Sequence, residues 1–453
     1  MSSRGMDSTA DSSGEYLRER DRFGSPTPGL AVVVEAGQPA ARGVVLQQHG
    51  LEVGRGSPDG ILADDEQVSR THLRVTYVDG TWTFEDLGSR NGTFIDGVRL
   101  TGSVKAQGSP LVRIGRSLLW AVPDVRPYRG HAMLGIPAPA PVVGGTSRRV
   151  LGEIALLSKA SENLLIIGES GSGKELLARA FHEAQHGQSG RAPLVAVNCA
   201  AIPEGLAERL LFGAKRGAYS GAVDAEGYVQ QAHGGTLFLD EIAELDPLVQ
   251  AKLLRVVETR EVMPLGATQS KRVSFRICAA THKDLRAEVH AGRFREDLYY
   301  RMGRPEVRNP PLRDRIDEMP WLIQRAMSEV SPKLTAQVTT YEHVALLKWP
   351  GNVRELLHEA RQAAHAAQHE GVDVVRPDHF AKDAGMELGP AASEPAPRGD
   401  STPSARNLDD AEIERVLAEH SGNVTAAARA LGLHRNQLRR WVDKRTGSKT
   451  PAS

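Results

Sequence analysis

Leu164-Leu-Ile-Ile-Gly-Glu-Ser-Gly-Ser-Gly-Lys174-Glu175 is an apolar run that breaks into alternating glycines and closes on a lysine, followed by the helical stretch Glu175-Leu-Leu-Ala-Arg-Ala-Phe-His182. The apolar residues read as a buried strand and the continuation as a helix. Between them, successive glycines let backbone N–H groups turn inward around phosphate oxygens, and the helix N-terminus adds partial positive charge. Gly168, Glu169, Ser170, Gly171, Ser172, Gly173, Lys174 and Glu175 are therefore the candidate phosphate cradle, with Lys174 reaching the β/γ-phosphates. Glu175 stands where the general motif has Ser or Thr to hold Mg2+. Taken alone, the run also fits an ordinary glycine-rich strand-to-helix turn. A second element downstream narrows the choice: Gly235-Thr-Leu-Phe-Leu239 is a buried strand ending in Asp240-Glu241. An Asp at that strand end suits Mg2+ held through water, and the following Glu is placed to polarise an attacking water. The two together predict ATP and Mg2+ as cofactors and ATP hydrolysis as the chemistry.

Outward from this segment the chain of 453 residues divides by pattern. Strand-like and helix-like runs alternate over 142–370, predicting a parallel sheet with crossover helices. Over 29–126, short alternating runs broken by Gly and Asp predict a small all-β domain. Residues 1–28 are polar and aperiodic and are expected to be disordered. The Pro/Ala/Gly-rich stretches 127–141 and 371–406 read as linkers. The tail, 407–447, is helical, with Ile413, Val416 and Leu417 at helical spacing. Lys+Arg and Asp+Glu are both 56, so net charge identifies no partner. Only Cys199 and Cys278 are present, far apart, which argues against a disulfide scaffold. The first residues lack a signal-peptide core, and no run approaches the length of a bilayer span. The expectation is a soluble, cytoplasmic chain with no membrane partner.

The flanking domains carry their own motifs. In the all-β region Gly54-Arg55-Gly56, Ser69-Arg70-Thr-His72 and Leu87-Gly-Ser-Arg-Asn91-Gly-Thr93 offer two guanidiniums and a hydroxyl for a phosphate. Asn91 before Gly92 suits a turn whose amide holds a peptide backbone. From His420 onward seven Lys/Arg face a single acid, Asp443. The stretch from Gly422 to Val442 has helix-turn-helix grammar, with alanines in the first helix and Gly432 at the turn. Leu438, Trp441 and Val442 point inward, leaving Arg435, Asn436, Gln437, Arg439 and Arg440 for major-groove edges and phosphates.

The run from about Val143 to Leu356 resembles the AAA+ domain of bacterial enhancer-binding proteins, the activators of sigma-54 RNA polymerase. Its matching stretches include GESGSGKELLARAFH, GGTLFLDEI, GRFREDLYYRM, PPLRDR and WPGNVREL. The resemblance implies that Asn198 switches Glu241 between orientations, that Arg295 and Arg301 are fingers reaching a neighbour's nucleotide, and that Arg354 is the sensor of a helical lid. Fingers supplied in trans imply a homo-oligomer, in this family a hexameric ring. The loop that touches sigma-54, normally Gly-Ala-Phe-Thr-Gly-Ala, is here Gly217-Ala218-Tyr219-Ser220-Gly221-Ala222, and the sensor Thr-Asn is Thr281-His282. The β motifs resemble the forkhead-associated (FHA) domain, which binds phosphothreonine through residues matching Arg55, Ser69, Arg70 and Asn91; His72 is then structural. The tail resembles the Fis-type helix-turn-helix. The expected fold class is multidomain: an all-β FHA sandwich, a central α/β P-loop AAA+ ATPase with a helical lid, and an all-α helix-turn-helix. The expected partners are sigma-54 RNA polymerase, enhancer DNA, and a phosphothreonine protein or Ser/Thr kinase. The alternatives are a DNA-bound phosphopeptide scaffold and an AAA+ remodeller of another target.

Overall fold

The computed structural model describes residues 26–57, 61–129, 142–187, 191–203, 205–218, 223–387 and 410–420, with Ala427 and Ala430. The chain divides into two compact units, Met1–Glu387 and Leu388–Ser453.

The first unit opens with ten strands: β1 (Gly29–Glu35), β2 (Gln38–Val45), β3 (Leu51–Val53), β4 (Leu73–Val78), β5 (Thr81–Asp86), β6 (Thr93–Ile95), β7 (Val98–Arg99), β8 (Ser103–Gln107), β9 (Leu111–Ile114) and β10 (Ser117–Val122). They form two antiparallel sheets, β2-β1-β10-β9-β6-β7 and β3-β4-β5-β8. Leu30, Val32, Val53, Trp82, Phe84 and Val112 fill the space between them. The β6–β7 hairpin turns at Asp96-Gly97, both at positive φ, as a two-residue hairpin turn requires.

The central part then alternates as its sequence pattern demands. Its elements are α1 (Gly145–Ala160), β11 (Asn163–Ile167), α2 (Lys174–His186), β12 (Leu194–Asn198), α3 (Ala207–Phe212), α4 (Tyr228–Gln231), β13 (Thr236–Asp240), α5 (Pro247–Thr259), the short ribbon β14 (Glu261–Val262) and β15 (Lys271–Arg272), β16 (Arg276–Thr281), α6 (Leu285–His290), α7 (Glu296–Met302) and β17 (Glu306–Arg308). Five of the strands make a parallel sheet in the order β12-β13-β16-β11-β17. Both faces are covered, so β11 is apolar after its first residue, Asn163: Leu164 and Ile166 join the α2 residues Leu177 and Phe181, while Leu165 joins Leu237 and Leu239.

A lid follows: α8 (Met319–Val330), β18 (Thr335–Ala336), α9 (Val338–Ala345), α10 (Asn352–His369) and β19 (Val374–Val375), with β18 and β19 paired in parallel. Ala360, Ala363, Ala364 and Ala367 form the buried stripe of α10. Order runs past 370. Val375, Phe380 and Ala384 pack into the lid core, and Gly385 N donates to Glu355 Oε1 at 3.0 Å. Residues 371–387, read above as linker, thus belong to the lid, because their apolar side chains have somewhere to be buried. Tyr128, also read as linker, is buried against Trp120 and hydrogen-bonds Thr146 at 2.9 Å.

The sandwich is packed on the lid. In β1 and β10 every residue except Glu35 is buried, because each strand has two covered faces. One face looks into the sandwich. The other sends Ala31, Val33, Trp120 and Val122 into one core with Met319, Ile323, Tyr341 and Val344. At the rim of this contact Arg113 Nε donates to Glu342 Oε2 at 2.6 Å, and both side chains are largely buried. The Arg113 guanidinium also lies 3.7 Å from the Phe94 ring centroid, a cation–π arrangement.

In the second unit α11 (Asp410–Glu419) buries Ile413 and Val416. The base-reading candidates Arg435, Asn436, Gln437, Arg439 and Arg440 lie outside the described residues.

Removing one member of a buried ion pair leaves the other charged and unsolvated. Glu342→Ala should therefore cost about 3–5 kcal/mol, whereas Arg113→Met with Glu342→Leu should be near neutral. Urea unfolding followed by tryptophan fluorescence reads both, since Trp120 and Trp321 lie at this contact.

Candidate functional site

β11 delivers the chain into the glycine-rich loop at the C-terminal end of the parallel sheet, where ligands of open α/β sheets bind. Gly171 and Gly173 take φ of 72° and 97°, which side chains other than glycine rarely adopt. α2 starts at Lys174 with no side-chain cap, so its first N–H groups are left for an anion. The floor of the loop is fixed. Asn309 Nδ2 donates to both the carbonyl and the hydroxyl of Ser172 at 3.0 Å, and Ser172 Oγ donates to Glu169 O at 2.7 Å. Glu175 is exposed and loosely paired with Arg179 at 3.7 Å.

Lys174 and Glu241 meet beneath this loop. Lys174, 6% exposed, donates from Nζ to Glu241 Oε1 at 2.9 Å and to Gly168 O at 3.0 Å. His282 Nδ1 lies 2.7 Å from Glu241 Oε2. Burial opposes charge on Glu241, but the hydrogen bonds from Lys174 and His282 outweigh it and hold the carboxyl below its ordinary range. An ionised carboxylate only accepts, so His282 donates through Nδ1–H. Glu241 sits at φ 51°, ψ 49°, a left-handed conformation in which a non-glycine residue stores strain, as reactive positions often do. Asp240, next to it, is pushed up by burial, with the Lys174 charge opposing. A half-buried carboxylate that resists ionisation is one that a divalent cation would stabilise. Among the described residues no group of three or more His, Cys, Asp or Glu side chains converges as a metal site.

Other predicted residues are placed differently. Asn198 adjoins Asp240 in the sheet register, but its Oδ1 accepts from Ala200 N at 3.0 Å and no hydrogen bond joins it to Glu241. In this state His282 makes that contact. The sequence marked position 282 only as a departure, because a hydrogen bond across two strands leaves no local pattern. Arg354 lies in the first turn of α10, exposed, with its Cβ beside Gly171. Arg295 is exposed and held by Asp297 at 2.7 Å. Arg301 is exposed, and its carbonyl accepts from Asn163 Nδ2 at 3.1 Å. Asn163 opens β11 and the phosphate loop closes it, so Arg301 sits at the far end of a five-residue strand, about 13 Å along. Of the 217–222 loop, Tyr219, Ser220, Gly221 and Ala222 lie outside the described residues. Its base is pinned by the Ala214–Ala225 bridge and by Asp224, which accepts from Arg216 N at 2.7 Å.

On the sandwich the three loop motifs come together. Arg55 N donates to Ser69 O, Gly56 N to Arg70 O, and Arg90 N to Ser69 Oγ, all at 3.0–3.1 Å. Asn91 Nδ2 donates to Gln67 O at 2.7 Å. The side chains of Arg55 and Arg70 are exposed and, among the described residues, unpaired. His72 is buried, accepts from Ser69 N through Nδ1 and donates from Nε2 to Gly92 O; burial lowers its pKa and keeps it neutral, a structural pin. Sequence reasoning missed Asp86, which accepts from Ser89 N, Ser89 Oγ and Thr93 Oγ1 at 2.6–2.7 Å and shapes the Asn91 loop.

The central domain is thus a P-loop nucleotide-binding domain with a helical lid, and the sandwich presents an arginine-bearing loop face. Comparison with known proteins places both. Residues 144–308 match the family described as Sigma-54 interaction domain, 51–117 the FHA domain, and 404–444 the Bacterial regulatory protein, Fis family. The Nif-specific regulatory protein of Azotobacter vinelandii is 41% identical over 301 residues, 65% of this chain and 56% of that protein. The transcriptional regulatory protein ZraR of Salmonella typhimurium is 38% identical over 321 residues, 69% of each chain. A crystal structure of NtrX from Brucella abortus in complex with ATP aligns with TM-score 0.48 and 25% identity over 70% of this chain and 69% of that one. The chain belongs to the sigma-54 interaction family of bacterial transcriptional regulators. It spans little more than half the length of the Nif-specific relative. No helix among the described residues is long and apolar enough to cross a membrane.

Proposed function

We propose that this chain is a cytoplasmic, sigma-54-dependent transcription regulator. It binds enhancer DNA through its C-terminal helix-turn-helix and hydrolyses ATP in a homo-oligomeric, hexameric ring. Turnover remodels closed complexes of sigma-54 RNA polymerase, and phosphothreonine recognition at the FHA domain controls it. The observation that carries the ring is the position of Arg301, at the opposite end of β11 from its own phosphate loop. A guanidinium there cannot serve its own nucleotide, but it suits the nucleotide of a neighbouring subunit. Asp240 would hold Mg2+, which supplies charge compensation for the β- and γ-phosphates. Lys174 must leave Glu241 to meet those phosphates, and that release frees Glu241 to orient a water.

The loop 217–222 favours a second reading. Tyr219 keeps the aromatic ring of the usual loop, but Ser220 lacks the methyl of threonine. The loss is worth about 0.8 kcal/mol of contact. That weakens coupling to sigma-54 without ending it. A DNA-bound scaffold, or a remodeller of another target, takes over only if coupling is absent.

An open-complex assay with purified sigma-54 polymerase decides between them. The wild type should give ATP-dependent open complexes, Ser220→Thr as many or more, and Tyr219→Ala none while keeping most ATPase activity. Glu241→Gln should bind ATP yet open nothing. Brisk hydrolysis with no open complexes from the wild type or from Ser220→Thr would reject the activator reading.

The FHA assignment has a separate test. The intact chain should bind a phosphothreonine peptide and ignore its unphosphorylated form in a fluorescence-anisotropy titration. Arg55→Ala or Ser69→Ala should erase the difference, because charge-assisted bonds to the phosphate are lost. Equal binding of both peptides by the folded chain would contradict it.

A further inference from the structure

Glu169, the second residue of the phosphate-binding loop, carries charge of the same sign as the ligand the loop is built to hold. Such a charge weakens triphosphate binding unless something neutralises it. Arg313 does so with both arms of its fork: Nη1 donates to Glu169 Oε2 at 3.0 Å and Nη2 to Oε1 at 2.7 Å. This pairing, aided by Asn352, holds the Glu169 carboxyl below its ordinary range. Arg313 comes from the segment that leads into the lid, and Asn352 is the first residue of α10.

Asn352 is fully buried, sits at φ 54°, and, apart from one bond from Nδ2 to Pro350 O at 3.3 Å, spends its amide on this junction. Nδ2 donates to Glu169 Oε2 at 3.0 Å and to Ser170 O at 3.1 Å, and Oδ1 accepts from Leu312 N at 2.8 Å. Arg315 Nη2 adds a bond to Ser172 O at 2.8 Å. A Cβ on Gly171 would overlap the Gly351 carbonyl, so the phosphate loop and the lid meet backbone to backbone. Arg354 follows Asn352 by half a turn on α10, and its Cβ would be 3.2 Å from that same Cβ.

We propose that Glu169, Arg313 and Asn352 are positioning residues for ATP hydrolysis. They latch the lid to the phosphate loop, and the lid's hold on Glu169 sets where Arg354 stands relative to the nucleotide. This rests on the ATPase reading above. The carboxylate is kept at a cost in phosphate affinity, and Arg313 cancels that cost only while the lid is closed. The side chains of Glu169 and Arg313 are about two-fifths exposed, so the pair adds little to folding stability.

The test is a double-mutant cycle on the full chain, reading ATP affinity by calorimetry, kcat from phosphate release, and Tm. Glu169→Gln should leave ATP affinity near wild type or tighter and lower kcat, on the order of tenfold to a hundredfold for a misplaced sensor. Arg313→Gln should lower kcat similarly and also weaken ATP on the order of tenfold, because the carboxylate is left bare. The double variant should recover the affinity but not kcat, and Arg313→Lys should retain the affinity. All should keep the wild-type Tm. Unchanged kcat in both single variants, additive losses in the double, or Tm falling in step with activity would each overturn the latch. A wild type that binds ATP without turnover would overturn the ATPase reading instead, and the affinity cycle would still decide whether Arg313 neutralises Glu169.

Discussion

The lid is held from two sides at once, and most of the first unit's architecture depends on that. On one side Asn352, Arg313 and Arg315 bond to the phosphate loop. On the other, the second face of β1 and β10 packs into the same core as α8 and α9, and Arg113 bonds Glu342 at the rim. A helical element gripped this way cannot shift against one neighbour without disturbing the other, because close-packed interiors transmit displacement instead of absorbing it. The phosphate loop and the sandwich are therefore mechanically connected through the lid, although among the described residues the sandwich donates nothing to the nucleotide site.

The continuity extends to the loop face of the sandwich. Asn91 and Gly92 lead directly into β6, where Phe94 lies under the Arg113 guanidinium. The hairpin that β6 makes with β7 reaches the end of α9, where a Cβ on Gly97 would come within 3.2 Å of Leu346. Under the proposed function, a phosphopeptide on that face would bear on a hairpin that already touches the lid. The electrostatics at the other end are those of a resting site. Lys174 and Glu241 neutralise each other, and His282 holds the remaining carboxylate oxygen. Under the proposed function, a triphosphate would compete for Lys174, so ligand binding and release of the Glu241 carboxylate are one event.

Much of this was legible in the sequence, for identifiable reasons. The phosphate loop and the Asp240-Glu241 strand end are local patterns whose spacing encodes their geometry; β11 and β13 flank β16 in the parallel sheet, and the two features meet at Lys174 and Glu241. The sandwich followed from alternating runs and Gly/Asn turns. Its docking on the lid did not, although a trace was present: Leu30-Ala-Val-Val-Val34 and Leu118-Leu-Trp-Ala-Val122 are continuous apolar runs, whereas a sheet with one wet face alternates. The lid boundary was misplaced because Val375 and Phe380 stand in a polar, weakly periodic stretch whose burial depends on distant helices. His282 was legible only as a departure at the sensor position and Arg313 only within PPLRDR, since their partners Glu241 and Glu169 lie far away in sequence and only the fold brings them together.

The central claim is that nucleotide site, lid and sandwich respond together. Hydrogen–deuterium exchange of the intact chain, with and without saturating ADP, tests it without any substitution. The account predicts slowed exchange in the phosphate loop, in α9 and α10, and also in β9 and β10 of the sandwich. Slowing confined to the parallel-sheet domain, with lid and sandwich amides unchanged, would contradict it.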